Sequence, residues 1–106
     1  MRQWYNIDPA RLCRKHLLGQ HVEMHMAAGH LKRGRRLGKL YDEGWIDPGR
    51  IREYHDKSAG EMLRRGYRHD SPLDWIDGKP CGNQDAARHM AELTGRCREC
   101  KRRIEA

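Results

Sequence analysis

The stretch Asp8-Pro-Ala-Arg-Leu-Cys-Arg-Lys-His16-Leu-Leu-Gly-Gln-His-Val-Glu23-Met-His-Met-Ala-Ala-Gly29 decides the fold class. Asp8 offers a side-chain acceptor to the free N–H groups of a helix start, Pro9 suits the first helical position, and Gly29 predicts the stop. On a helix wheel at 100° per residue, Ala10, Cys13, Leu17, Met24 and Ala28 share one sector, the predicted core face. Leu12, His16, Gly19, Glu23 and Met26 form a second sector about a quarter-turn away. His16 and Glu23 stack there two turns apart, with Gln20 adjacent, and a carboxylate beside an imidazole is a candidate acid/base pair.

Working outward, the same punctuation recurs. A weaker helix is predicted from about Gly29 to Asp42, broken by Gly34 and Gly38. Asp47-Pro48 opens a further helix that Gly66 closes behind Arg64 and Arg65, with Ile51, Ala59, Met62 and Leu63 as its apolar line. Residues 67–82 hold Pro72, Gly78, Pro80 and Gly82 and read as an irregular connection. A short helix from about Asn83 to Thr94 ends at Gly95. No alternating strand pattern occurs. The expectation is an all-α, compact single-domain protein of about four helices, because 106 residues with 37% hydrophobic content support one helical core.

Charge narrows the function. The chain carries 22 Lys+Arg against 15 Asp+Glu, a formal charge of +7. Residues 1–41 hold nine cations and two acids, whereas residues 42–106 hold thirteen of each sign. The excess surrounds Glu23, the lone glutamate of that basic region. His30-Leu-Lys-Arg-Gly-Arg-Arg-Leu-Gly-Lys-Leu40 adds five cations without an acid, a composition suited to phosphate. Candidate nucleic-acid contacts are Arg2, Lys15, Lys32, Arg33, Arg35 and Arg36, extended by Arg64 and Arg65. Apolar runs are only a few residues long, which excludes a bilayer-spanning helix. The start, Met1-Arg-Gln-Trp-Tyr-Asn, lacks the apolar stretch of a secretory signal and predicts a cytoplasmic protein with reduced thiols.

Two groups of metal-ligating residues stand out. Cys97-Arg-Glu-Cys100 is a C-x-x-C with Cys81 upstream and His89 between. Cys81, His89, Cys97 and Cys100 would complete a tetrahedral structural zinc site stapling the C-terminal tail, with free thiols as the alternative. Cys13 reads as a small core residue. His21 and His25, one helical turn apart, suit a metal when a third ligand converges, but the glutamate lies between them, unlike the zincin pattern; a core-edge or phosphate-facing role is the plainer reading.

Leu12-Cys-Arg-Lys-His16-Leu-Leu-Gly-Gln-His-Val-Glu23 resembles the first helix of the phage pyrimidine-dimer DNA glycosylases, the endonuclease V family. Glu61-Met-Leu-Arg-Arg-Gly-Tyr67-Arg-His-Asp-Ser-Pro-Leu73 resembles the end of a later helix in that family. The resemblance implies a glycosylase-like helical core over residues 1–73; the connection, short helix and cysteine tail of 74–106 are expected to pack on the same domain. It implies that the α-amine of the first residue is the nucleophile (Met1 where it is retained, Arg2 where Met1 is removed), that Glu23 is the catalytic carboxylate, that His16 lies near the phosphate backbone and that Arg2 matches an arginine beside the terminus. An α-amine titrates near 7.7–8.0, leaving roughly 10–20% unprotonated at pH 7, against about 0.04% for a lysine. Such an amine can attack the sugar C1′, displace the base and form an imine whose β-elimination nicks the strand, with no cofactor for catalysis. The expected partner is damaged or abasic double-stranded DNA, bound by a monomer. The chain departs from the family where Val22 and Met26 replace two arginines flanking the glutamate, where Met1 replaces a small terminal residue, and where an aromatic-rich C-terminal segment is missing. Two other readings are a non-catalytic DNA-binding protein with a zinc-stabilised tail, and a metal-dependent nuclease built on His21, His25 or the cysteine tail.

Overall fold

The computed structural model describes all 106 residues and contains five α-helices and no strand: α1 (Arg14–Lys32), α2 (Lys39–Asp42), α3 (Ile51–Arg64), α4 (Ala86–Arg96) and α5 (Arg98–Glu105). The all-α expectation holds, with a helix more than the four expected, because Cys97 ends α4 and caps α5.

Both Asp-Pro signals open a 3-10 turn, and only the second runs straight into its helix. Asp8 Oδ1 accepts from Ala10 N–H at 2.9 Å, yet the turn covers only Pro9–Arg11. Leu12 is extended, and α1 starts behind Cys13, whose Sγ accepts from His16 N–H at 3.4 Å. Leu12 and Leu17 lie about 140° apart on a continuous helix; the break lets both enter one apolar cluster, where each is almost fully buried. At the second signal the turn Pro48–Arg50 leads into α3 without interruption.

The predicted stop at Gly29 is corrected. Gly29 lies inside α1, and the helix ends at Gly34 (φ +76°), where Gly34 N–H donates to Leu31 C=O and Arg35 N–H to His30 C=O. Gly66 (φ +79°) closes α3 by the same pair of bonds, with Tyr67 N–H reaching Met62 C=O at 2.8 Å. A glycine in right-handed helix costs only about 1 kcal/mol against Ala, and extending α1 past Gly29 brings Leu31 against the core. The predicted second helix shrinks to α2. Leu63, read as part of the apolar line of α3, is exposed.

Helices α1 and α3 form the central pair. One apolar cluster joins Trp4, Ile7, Leu12, Cys13, Leu17, Met62, Leu93 and Cys100, so α4 and α5 close the same core as the N-terminal segment. The other joins Met24, Ala27, Ala28, Leu37, Ile46, Ile51 and Tyr54. Buried polar residues Gln20, His21, His55 and Ser58 are interspersed along this helix pair. No helix is long and apolar enough to cross a membrane.

Candidate active site

Residues 1–7 are not helical, so their backbone groups need partners from elsewhere. Gln20, on α1, supplies two: its Oε1 accepts from Trp4 N–H and its Nε2 donates to Arg2 C=O, both at 2.7 Å. Gln3 N–H donates to Trp45 C=O at 3.0 Å, and the Gln3 amide makes a two-way bond with the Asp47 backbone. Tyr5 N–H donates to His89 Nδ1 at 3.0 Å, and Asn6 N–H to Tyr54 Oη at 3.0 Å. The terminal segment is thereby fixed along α1.

The consequence is local to the chain start. Met1, Arg2, Lys15, His16, Gln20 and Glu23 line one cleft of about 370 Å³, with Gly19, Trp4 and Arg96 completing its walls. Arg2 N–H donates to Glu23 Oε2 at 3.2 Å, which ties the carboxylate to the residue next to the terminal amine. The Arg2 guanidinium lies 4.3 Å from the Trp45 ring centroid and 3.6 Å from Glu92. Burial, then the positive charges of Lys15 and Arg96, hold His16 below its ordinary value against the opposing pull of Glu23. A neutral imidazole, a carboxylate and an amine thus share a small cationic cleft.

The other predicted contacts are dispersed. Lys32 is paired with Asp74 at 2.8 Å, and Arg33 is exposed at the end of α1. Arg35 and Arg36 line a separate groove with Tyr41, Trp75 and Lys79. Arg64 is exposed and paired with Glu61. Arg65 is corrected from a surface contact to an interior one: its guanidinium bonds Glu61 and the carbonyls of Pro9, Ala10 and Leu12, stitching α3 to the turn before α1.

The metal set is corrected as well. His89 is buried with both ring nitrogens engaged, accepting from Tyr5 N–H and donating to Gly44 C=O at 2.8 Å. Cys81 sits by Ile46 and Asp47. Cys97 and Cys100 instead meet Cys13 and His16, the four ligand atoms lying within 4.8 Å of one another, a set that could hold a metal. Cys13 Sγ is 3.8 Å from Cys97 Sγ and 3.3 Å from His16 Nδ1. Although burial opposes it, bonds from Cys100 and Cys13 hold the Cys97 thiol below its ordinary value, whereas burial pushes Cys100 up to about 12. The sequence pointed away from this set because the break at Leu12, which frees Cys13 to face the tail, carries no pattern of its own.

Gln20 and Arg96 are the cleft residues whose parts sequence reasoning did not assign. The signal for Gln20 was available: a polar residue flanked by Leu17 and Met24 on a core-facing helix needs buried partners.

The family model for pyrimidine dimer DNA glycosylase matches residues 1–74. Neither a curated protein nor a solved structure matches the chain. The match covers more than half the sequence, including the N-terminal segment, α1 with Glu23 and α3, and the chain belongs to the pyrimidine dimer DNA glycosylase family.

Proposed function

We propose that the protein excises pyrimidine dimers, or a closely related lesion, and nicks the resulting abasic strand through an imine on the α-amine of Met1. The observation that carries this reading is the shared cleft of Met1 and Glu23, joined by the Arg2 N–H bond to the carboxylate. The amine lone pair attacks C1′ as the base departs with the glycosidic electrons. Ring opening gives the imine, loss of a C2′ proton follows, and the 3′ phosphate leaves. Glu23 stabilises the positive charge developing on the sugar and relays protons during ring opening. Arg2, Lys15 and Arg96, around the same cleft, take the flanking phosphates.

Catalysis on this route uses no metal at the reacting carbon. A structural zinc on Cys13, Cys97, Cys100 and His16 Nδ1 would fasten the tail to α1 and leave the other ring nitrogen of His16 for the cleft. The protein acts as a monomer on double-stranded DNA.

Borohydride reduction in the presence of an abasic duplex should trap a covalent adduct that maps to residue 1, and an ultraviolet-damaged duplex should give the same adduct. A trapped adduct on a lysine, or none, refutes the α-amine mechanism. Binding without nicking would favour a purely DNA-binding protein, and nicking abolished by EDTA without loss of helicity would favour a metal-dependent nuclease.

A further inference from the structure

On the side of α1 away from Glu23, four histidines from three segments meet. His21 and His25 come from α1, His55 from α3, and His69 from the chain just beyond α3. His21 Nε2 and His25 Nε2 each lie 3.1 Å from His55 Nε2. The ligand atoms of His21, His55 and His69 fall within 4.8 Å of one another. We infer that these four histidines form a binding site for a divalent cation of the zinc class, which clasps α1, α3 and the segment after α3 behind the catalytic helix.

Proton positions make the case. His55 Nδ1 lies 2.8 Å from Asp56 Oδ1, and a carboxylate there requires Nδ1 to carry the hydrogen. In the neutral ring Nε2 then presents a lone pair to the centre of the cluster. That lone pair also faces the Ser71 carbonyl oxygen at 3.2 Å, an acceptor against an acceptor. His69 Nε2 is buried and has no hydrogen-bond partner. His25 Nε2, 3.1 Å from the same carbonyl, can donate to it, and His21 Nε2 can donate to the His55 lone pair, which still leaves the buried His69 nitrogen without a partner. A dication among the rings would serve that nitrogen together with the others.

The chemistry and dimensions agree. Imidazole is a good ligand for zinc, copper, nickel and iron, and a carboxylate on the outer nitrogen is the usual support for a ligating histidine, here supplied by Asp56. Zinc–nitrogen bonds of about 2.0–2.1 Å in a tetrahedron put the nitrogens about 3.3 Å apart; the His21–His55 and His25–His55 pairs, at 3.1 Å, are near this, and the His69 ligand atom lies within 4.8 Å of those of His21 and His55. A cavity of about 400 Å³ lined by His21, His25, His69 and Ser71 opens onto the cluster, giving an ion a path in; Arg68 and Asp70 at its wall are paired with each other.

The inference does not rest on the excision chemistry, and its test reads metal binding instead of nicking. The full chain, stripped with chelator, is titrated with zinc while imidazole nitrogen resonances are followed. The expected result is saturable shifts of the Nε2 signals of His21, His25, His55 and His69, with His30 and His89 unmoved. Shifts confined to His16 would locate the zinc at the cysteine cluster and overturn the proposal, as would no shift. Asp56→Asn should weaken zinc binding about 10–100-fold, and His25→Ala at least ten-fold, with helical circular dichroism retained. Affinity unchanged in both variants also overturns it.

Discussion

Glu23 and His21 stand two residues apart on α1 and therefore point to opposite sides of it, about 200° apart. Around Glu23 the backbone groups of the terminal segment are matched: Gln20 serves Trp4 and Arg2, and Arg2 N–H serves the carboxylate, although Arg2 Nε is buried there without a partner. Around His21 the polar groups meet one another, ring against ring, with a buried nitrogen left over. A matched site is preorganised for a reaction, and an unmatched one is complete only when something binds. On the two proposals, one helix carries a reacting face and a clasping face, and substitutions should separate them.

The largest separation is expected from Glu23→Gln. The amide keeps the shape of the side chain and its oxygen can still accept from Arg2 N–H, but it carries no charge for the sugar cation. Nicking of an abasic duplex should fall about 10³-fold, while duplex affinity stays within a few-fold and the thermal midpoint barely moves. On the opposite face His25→Ala should do the reverse, lowering the midpoint and leaving nicking of the folded protein within a few-fold. Equal losses of activity from both variants would dissolve the distinction between the faces.

Gln20→Ala tests why the reacting face is rigid. Its removal leaves the buried Trp4 N–H and the Arg2 carbonyl without partners, a penalty of about 1–3 kcal/mol for each group left unsatisfied. The terminal segment would then drift from Glu23, and a displacement on the order of 1 Å costs about 10² in rate. Single-turnover nicking is the measurement. A wild-type rate would mean that the amine is positioned without this glutamine.

These two faces were unequally legible in the sequence. The pairing of His16 with Glu23, and of both with the terminus, followed from helical spacing and from the family resemblance, since a single helix carries the first two. The all-helical class was equally plain, because Asp-Pro starts and glycine stops punctuate the chain. His55 and His69 were invisible as partners of His21 and His25, because convergence between α1, α3 and a loop is a tertiary fact without a local pattern. The cysteine tail misled for a related reason: Cys81 is near Cys97 in sequence, whereas Cys13, 84 residues away, is the residue that packs against it.

Acid should loosen the reacting face through His89. Burial holds this imidazole below its ordinary value of 6.5, so the unfolded chain binds more protons in the interval between the two values. Stability is then complete above about pH 6.5 and declines as pH falls towards the lower native value. Protonation would also set an N–H on Nδ1 against the Tyr5 N–H it now accepts. The thermal midpoint should therefore drop between pH 7 and pH 5. His21 and His25 are shifted in the same direction, so His89→Gln should make that slope shallower without abolishing it. An unchanged slope would show that His89 takes no part.

The smallest effect, and the finest division of the cleft, belongs to Gly19→Ala. Gly19 is one turn before Glu23 on the same side of α1 and lines the cleft with Met1. A methyl group there meets no protein atom within 4 Å, so the folded chain has no steric objection, and the helix should gain about 1 kcal/mol. That corresponds to a rise of about 4–8 °C in the thermal midpoint for a domain of this size. Gly60 in α3 is equally unobstructed, and Gly60→Ala should give the same rise with nicking unchanged. The two glycines differ in what they border: Gly60 a cleft with Arg50 and Lys57 that contains neither Met1 nor Glu23, and Gly19 the space a sugar would enter to reach the amine. Gly19→Ala should therefore raise stability and lower nicking a few-fold, a pairing of signs that packing alone does not produce. If both variants gain stability and keep full activity, the sugar approaches Glu23 from a side that Gly19 does not border.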